Sequence, residues 1–198
     1  YQVDKAHRMI AAGAIAVIGH HPHVLQPIEL YKPRTWDREG VIAYSLGNFI
    51  SNQGMRFGGP KHEHEDQGPR REGALLRIEL VRRDYGGGIT RVEIEGVDAL
   101  PLWTENDIVR ATSDDDERTQ PDIHVVALDR AIANVTRELA KIPEPIPPEL
   151  VPRYGYLRRW LEIYLSRKES IRTVIGERYI REIAPHPERA ERVEGPSE

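Results

Sequence analysis

The chain has 198 residues, room for one domain or slightly more and for a real buried core. Its 39% hydrophobic and 30% charged residues place it among globular proteins, and a formal net charge of −4 excludes a general nucleic-acid binder, which needs basic excess against phosphate. Cysteine is absent, so there are no disulfides and any metal must be held by His, Asp, Glu, Asn or backbone oxygen.

The chain begins at Tyr1 already in a helical pattern, and it reads as a piece of a longer protein. Residues 3–12, "VDKAHRMIAA", put Val3, Ala6, Met9 and Ile10 on one helical face, with Gly13 as the stop. "AIAVI" (14–18) follows as a strand buried on both faces, ending in the polar run "GHHPH". "VLQPIELY" is extended, "KPRTWDREG" is a turn, and "VIAYSL" (41–46) is a second buried strand that ends in "GNF". Residues 51–72 are Gly-rich, charged and aperiodic, which predicts a long surface loop.

From 73 to 100 apolar and polar residues alternate on either side of "DYGGG", the pattern of a β-hairpin. Residues 112–122 are an acidic loop, "IHVVAL" is a last strand, and Leu128, Ile132, Val135, Leu139 and Ile142 mark a helix. "PEPIPPELVP" is a proline-stiffened linker. Leu157, Trp160, Leu161, Tyr164, Leu165 and Ile171 then form the stripe of a long helix that covers the domain's own surface. The segment 185–198 is a disordered tail, and no apolar run approaches the roughly 18–20 residues that span a bilayer.

The chemistry concentrates at the two polar strand ends. In "GHHPH", His21 and His23 are spaced H-x-H and His20 and His23 H-x-x-H, while Pro22 stiffens the turn. Imidazoles presented by a rigid turn suit a divalent metal, but a hydrogen-bonded turn or an anion contact has the same spacing. Two or three histidines do not make a catalytic site, and the nearby acids Glu29 and Asp37 have no ligand spacing. A second H-x-H, His62 and His64, lies in a charge run without a strand to aim it. In "SLGNF", Gly47 permits positive φ and Asn48 both donates and accepts, though an ordinary Gly-Asn turn reads the same.

"GAIAVIGHHPHVLQPIELY" followed by "VIAYSLGNFISNQ" resembles the CapA family of bacterial capsule (poly-γ-glutamate) synthesis proteins, whose fold is calcineurin-like and metallophosphoesterase-type. The resemblance covers residues 1 to about 108. It implies an α/β (α+β) fold: the C-terminal part of a metallophosphoesterase-like β-sandwich flanked by helices, with a C-terminal helical extension. The corresponding division is 1–110 for that domain part and 111–142 for the loop, strand and helix that close it. The linker and long helix occupy 143–184, and the tail 185–198. The resemblance further implies two divalent ions (Mn, Fe or Zn) that clamp a phosphate ester. The family's G-x-H-P-H motif falls on Gly19, His21, Pro22 and His23, so His21 and His23 are the implied metal ligands. His20 and Asn48 are implied catalytic candidates, and Gly19 and Gly47 substrate-facing backbone.

The family's earlier carboxylate and Asn-His motifs are not found in this chain. It is therefore expected to bind metal weakly and not to turn over phosphate esters alone. A missing N-terminal half, or another chain, would cover the open sheet; other capsule-synthesis proteins are further partners, and nucleic acid is not one. The resemblance places the full-length parent outside the cytoplasmic membrane and associated with it. A non-catalytic component of a polymer-synthesis assembly is the rival reading.

Overall fold

Parallel pairing of two short apolar strands decides where the site lies. The computed structural model describes residues 1–34, 37–54, 56–57, 64–106 and 123–183. Helix α1 (Gln2–Ala11) leads into β1 (Ala16–Ile18), and then come β2 (Ile28–Tyr31) and β3 (Gly40–Ala43). The strand order is β1-β3-β2, with β1 parallel and β2 antiparallel to β3. Because β1 and β3 run the same way, the "GHHPH" and "LGNF" turns leave the same edge of the sheet. Ligand sites in open α/β sheets favour that edge.

β3 is buried along its length. Val41 and Ala43 face the main core, while Ile42 and Tyr44 face Ala6 and Ile10 of α1. The alternation follows from the two-residue period of a strand covered on both sides. β1 departs from the expectation: it is an edge strand of three residues, half-buried rather than enclosed, and Ile18 is 45% exposed. The apolar face of α1 is also narrower than its sequence suggests, since Val3 and Met9 lie in solvent. β1 has a neighbour on one side only among the described residues, which accounts for its half-burial.

The second sheet has the order β4-β5-β6, all antiparallel: β4 (Glu72–Asp84), β5 (Thr90–Asn106) and β6 (Ile123–Ala127). The predicted hairpin forms, with a bulge opposite Glu79/Leu80 and a tip closed by Tyr85 N–H donating to the Ile89 carbonyl. Gly86, Gly87 and Gly88 all have positive φ there. Helices α2 (Leu128–Ala140) and α3 (Val151–Ile175) pack on this sheet, and most of the predicted α3 stripe covers the core: Trp160, Tyr164 and Ile171, with Ile175, join Trp103, Leu128 and Val41 in one cluster, while Leu165 of that stripe is exposed. This is a mixed α/β architecture with two sheets. No helix among the described residues is long and apolar enough to cross a membrane.

The loop read over 51–72 is less superficial than its composition implies. Its last part, Glu65–Arg71, is a 3-10 helix, and Phe57 and Arg71 are buried. Phe57 meets Trp103 edge-on at 5.4 Å and lies beside both the Arg71 and Arg167 guanidinium groups. Glu72, also buried, is ion-paired to Arg167 at 3.4 Å, and burial raises its carboxyl above the ordinary value despite that pairing. Charged residues are tolerated inside because each has such a partner. The acidic loop, the tail and His62 lie outside the described residues.

Candidate metal-binding histidine turn

The two strand ends are fastened together by backbone. Gly19 N–H donates to the Ala43 carbonyl at 2.7 Å, and Gln26 N–H to that of Ser45 at 3.0 Å. A Cβ on Gly19 would lie 2.3 Å from the Tyr44 carbonyl oxygen, so only glycine allows this approach. Gly47 is doubly restricted: its φ is +69°, and a Cβ there would lie 2.4 Å from the Glu72 carbonyl oxygen. Both glycines therefore set the path of the turns that carry the polar side chains.

Within the histidine turn two non-glycine residues adopt positive φ, His21 at 102° and His23 at 60°. Such backbone costs about 1–3 kcal/mol and persists where its surroundings impose it, often at functional sites. Both rings are exposed, with centroids 6.2 Å apart and planes tilted by 45°. His20 is exposed as well.

Asn48 is the buried anchor of this group. Its amide nitrogen donates to two backbone carbonyls, those of Arg70 at 2.8 Å and His23 at 3.2 Å. Two carbonyl acceptors fix which end of the amide is NH2. The Asn48 oxygen must then accept, and it lies 2.9 Å from His23 Nδ1. His23 therefore carries its proton on Nδ1 when neutral, which leaves the Nε2 lone pair for a ligand. Metal-binding histidines are commonly oriented this way by a carbonyl or carboxylate on the other nitrogen.

The donor set fits one side of a metal centre. Neutral imidazole suits Mn, Fe and Zn, His21 and His23 are adjacent and solvent-facing, and in the neutral His23 ring Nε2 is the nitrogen left open to a ligand. It does not complete one: among the described residues no three His, Asp or Glu side chains gather as a ligand cluster. Glu29, the nearest acid in sequence, is engaged elsewhere. It accepts hydrogen bonds from Tyr44 Oη at 2.7 Å and from His7 Nε2 at 3.0 Å, and His7 stacks on Tyr31 at 3.8 Å. Desolvation works against ionisation of Glu29, yet the Tyr44 and His7 hydrogen bonds hold its carboxyl below the usual value; burial and Glu29 together push the Tyr44 phenol well up. The sequence reading missed this group because its members are far apart in the chain and share no spacing. His64 sits at the start of the 3-10 helix with left-handed backbone. Asp37 pairs with Lys32 at 2.8 Å, away from the turn in sequence and in partner.

Residues 1–53, which include both turns, match the family model described as bacterial capsule synthesis protein PGA_cap. Over this segment the chain resembles the CapA family. It is similar to the capsule biosynthesis protein CapA of Bacillus anthracis, 51% identical over 53 residues, which is 27% of this chain and 11% of that one. The PGA biosynthesis protein CapA of Bacillus subtilis (strain 168) is 53% identical over 102 residues, 51% of this chain and 22% of that relative. An uncharacterized protein of Sinorhizobium fredii, y4sH, is 46% identical over 50 residues, 25% of this chain and 10% of its own length. The chain thus aligns with between a tenth and under a quarter of the length of these relatives.

Proposed function

We propose that this chain supplies one wall of a di-metal, phosphoesterase-type hydrolase centre in a capsule-polymer biosynthesis protein. The observation that carries the reading is the Asn48–His23 pair, which holds a histidine with Nε2 free at the end of a strained, solvent-facing turn. His21 and His23 would hold the metal. Two divalent ions of the Mn, Fe or Zn type, when bound, polarise a phosphoryl oxygen and activate water. The chain's own part is to orient: Asn48 fixes the His23 tautomer, the Gly19 and Gly47 backbones keep both turns in register, and His20 would face the phosphate.

The missing carboxylates would come from further polypeptide, either the rest of a longer chain or a partner. The edge of β1 that has no neighbour among the described residues, with Ile18 exposed, and the exposed Phe49 and Ile50 beside Asn48, are the surface such a segment would cover. We read the whole protein as working outside the cytoplasmic membrane and associated with it, a reading that the family resemblance supports. A second reading is a non-catalytic polymer-binding or assembly component, which the relatives' names, as capsule and PGA biosynthesis proteins, support equally.

Two experiments separate the readings. Titration of this chain with Zn2+ or Mn2+, followed by histidine NMR, is expected to shift His21 and His23 with weak affinity. In a longer polypeptide that carries the carboxylates, His21→Ala or His23→Ala is expected to abolish phosphoester hydrolysis. A longer protein that binds capsule polymer, holds no metal and hydrolyses nothing would establish the second reading instead.

A further inference from the structure

We infer that the C-terminal helix α3 positions the histidine turn: Arg167, through Glu72, holds the backbone seat on which Asn48, and through it the His23 ring, is set. Only the metal-binding consequence rests on the reading of His21 and His23 as ligands. The hold of Arg167 on Asn48 and His23 does not.

The seat is the segment that ends the 3-10 helix and begins β4. Ala74 N–H donates to the Leu46 carbonyl at 3.1 Å, and Asn48 N–H to the Glu72 carbonyl at 3.2 Å. The Asn48 amide adds its donation to the Arg70 carbonyl at 2.8 Å. The two backbones run too close to slide past each other. A Cβ on Gly73 would lie 2.1 Å from the Asn48 carbonyl oxygen, just as one on Gly47 would meet that of Glu72. A shift of residues 70–72 therefore disturbs the Asn48 amide, and hydrogen bonds weaken steeply as their geometry bends. The His23 ring is exposed, stands on positive-φ backbone, and takes its direction from that amide.

One guanidinium fixes both ends of this seat. Arg167 Nη1 lies 3.4 Å from Glu72 Oε1, and Ser170 Oγ, one turn further along α3, lies 3.5 Å from Oε2. Glu72 is 2% exposed, so its carboxylate has exchanged water for these partners. The same guanidinium lies against Gly68, where a Cβ would fall 2.7 Å from its central carbon, and over the Phe57 ring at 5.8 Å. Arg70, whose carbonyl receives Asn48, stands in the chain between Gly68 and Glu72. Stability alone does not call for such a pair, since apolar replacements of buried ion pairs are often as stable. What the pair supplies here is direction.

Arg167→Met, Arg167→Lys and the double variant Arg167→Met/Glu72→Gln, each in the 198-residue chain, test this. Thermal denaturation reads stability. Without metal, 15N NMR reads the Asn48 side-chain amide and the Nδ1–H form of the neutral His23 ring. Arg167→Met leaves the Glu72 carboxylate buried without its cation, so stability is expected to fall. The Asn48 amide is expected to shift, the Nδ1–H fraction of His23 to drop, and Zn2+ binding to weaken about tenfold. Arg167→Lys keeps the cation and is expected to stay near the native chain in all of these. The double variant removes the unpaired charge, so stability returns while the amide and the ring stay displaced; it also serves if Arg167→Met alone does not fold. Native Asn48 and His23 signals in folded Arg167→Met overturn the inference, and so does their recovery together with stability in the double variant. A native chain that binds no Zn2+ refutes the metal reading of the turn instead, and the amide and tautomer comparison still decides the role of Arg167.

Discussion

Replacing Asn48 by Ala removes three hydrogen bonds from a buried position, at 2.8, 2.9 and 3.2 Å. Each contributes about 1 kcal/mol net, so the expected loss of unfolding free energy is about 3 kcal/mol. For a chain of this size that lowers Tm by roughly 6–12 °C. The same change frees the His23 ring, and loss of a second partner of this kind weakens metal binding about 10–100-fold. Asn48→Asp separates the two effects: a carboxylate still accepts from His23 Nδ1–H but cannot donate to the Arg70 and His23 carbonyls. Both variants are therefore expected to lose stability, while only Asn48→Ala loses the Nδ1–H tautomer. Thermal denaturation reads the first effect, and 15N NMR of the imidazoles reads the second. A loss below about 1 kcal/mol on Asn48→Ala, with the His23 tautomer unchanged, would refute the assignment of Asn48 as the anchor of the turn.

Gly47→Ala must place a Cβ 2.4 Å from the Glu72 carbonyl oxygen at a φ of +69°, so a destabilisation of about 2 kcal/mol or more is expected in urea melts. Phe57→Ala empties the space between Trp103 and two guanidinium groups, with an expected cost of about 3–5 kcal/mol and faster proteolysis between β3 and β4. Glu29 titrates below its unfolded value, so its contribution is present above the unfolded pKa of 4.5 and fades as pH falls through the lower folded value; Glu29→Gln should flatten that acid limb of a stability–pH curve. Glu72 has the opposite sign. Its folded carboxyl keeps the proton longer than the unfolded chain does, so stability falls as pH rises above 4.5 toward the raised folded value, and Glu72→Gln should remove that slope.

Much of the fold was legible because periodic patterns report burial directly. Ile42 and Val41 sit in an unbroken apolar run and are enclosed on both faces, and the alternation around "DYGGG" gave the hairpin nearly to its ends. "AIAVI" looked the same to a local window yet became a half-exposed edge, since enclosure depends on neighbours that the run itself does not encode. The burial of Arg71 and Glu72 was hidden by their charge, and only tertiary partners such as Arg167 and Trp103 account for it. At the site, residue types and order singled out His21, His23 and Asn48. That Asn48 sets a histidine tautomer depends on two carbonyls, one of them at Arg70, that no sequence spacing foretells. The His7–Glu29–Tyr44 group was invisible for the same reason.

The hairpin tip has a consequence for how the protein folds. Gly86, Gly87 and Gly88 each have positive φ and open space where a side chain would sit, so they serve the direction of the backbone and not a tight fit. Three such residues in a row give the unfolded chain great freedom at the point where β4 must reverse. A tip of this kind is a poor nucleus. The ladder is instead expected to start where Trp103 pairs with Glu72 in the core and to close the glycines last. Stiffening the tip therefore acts on the unfolding rate and leaves the folding rate almost unchanged.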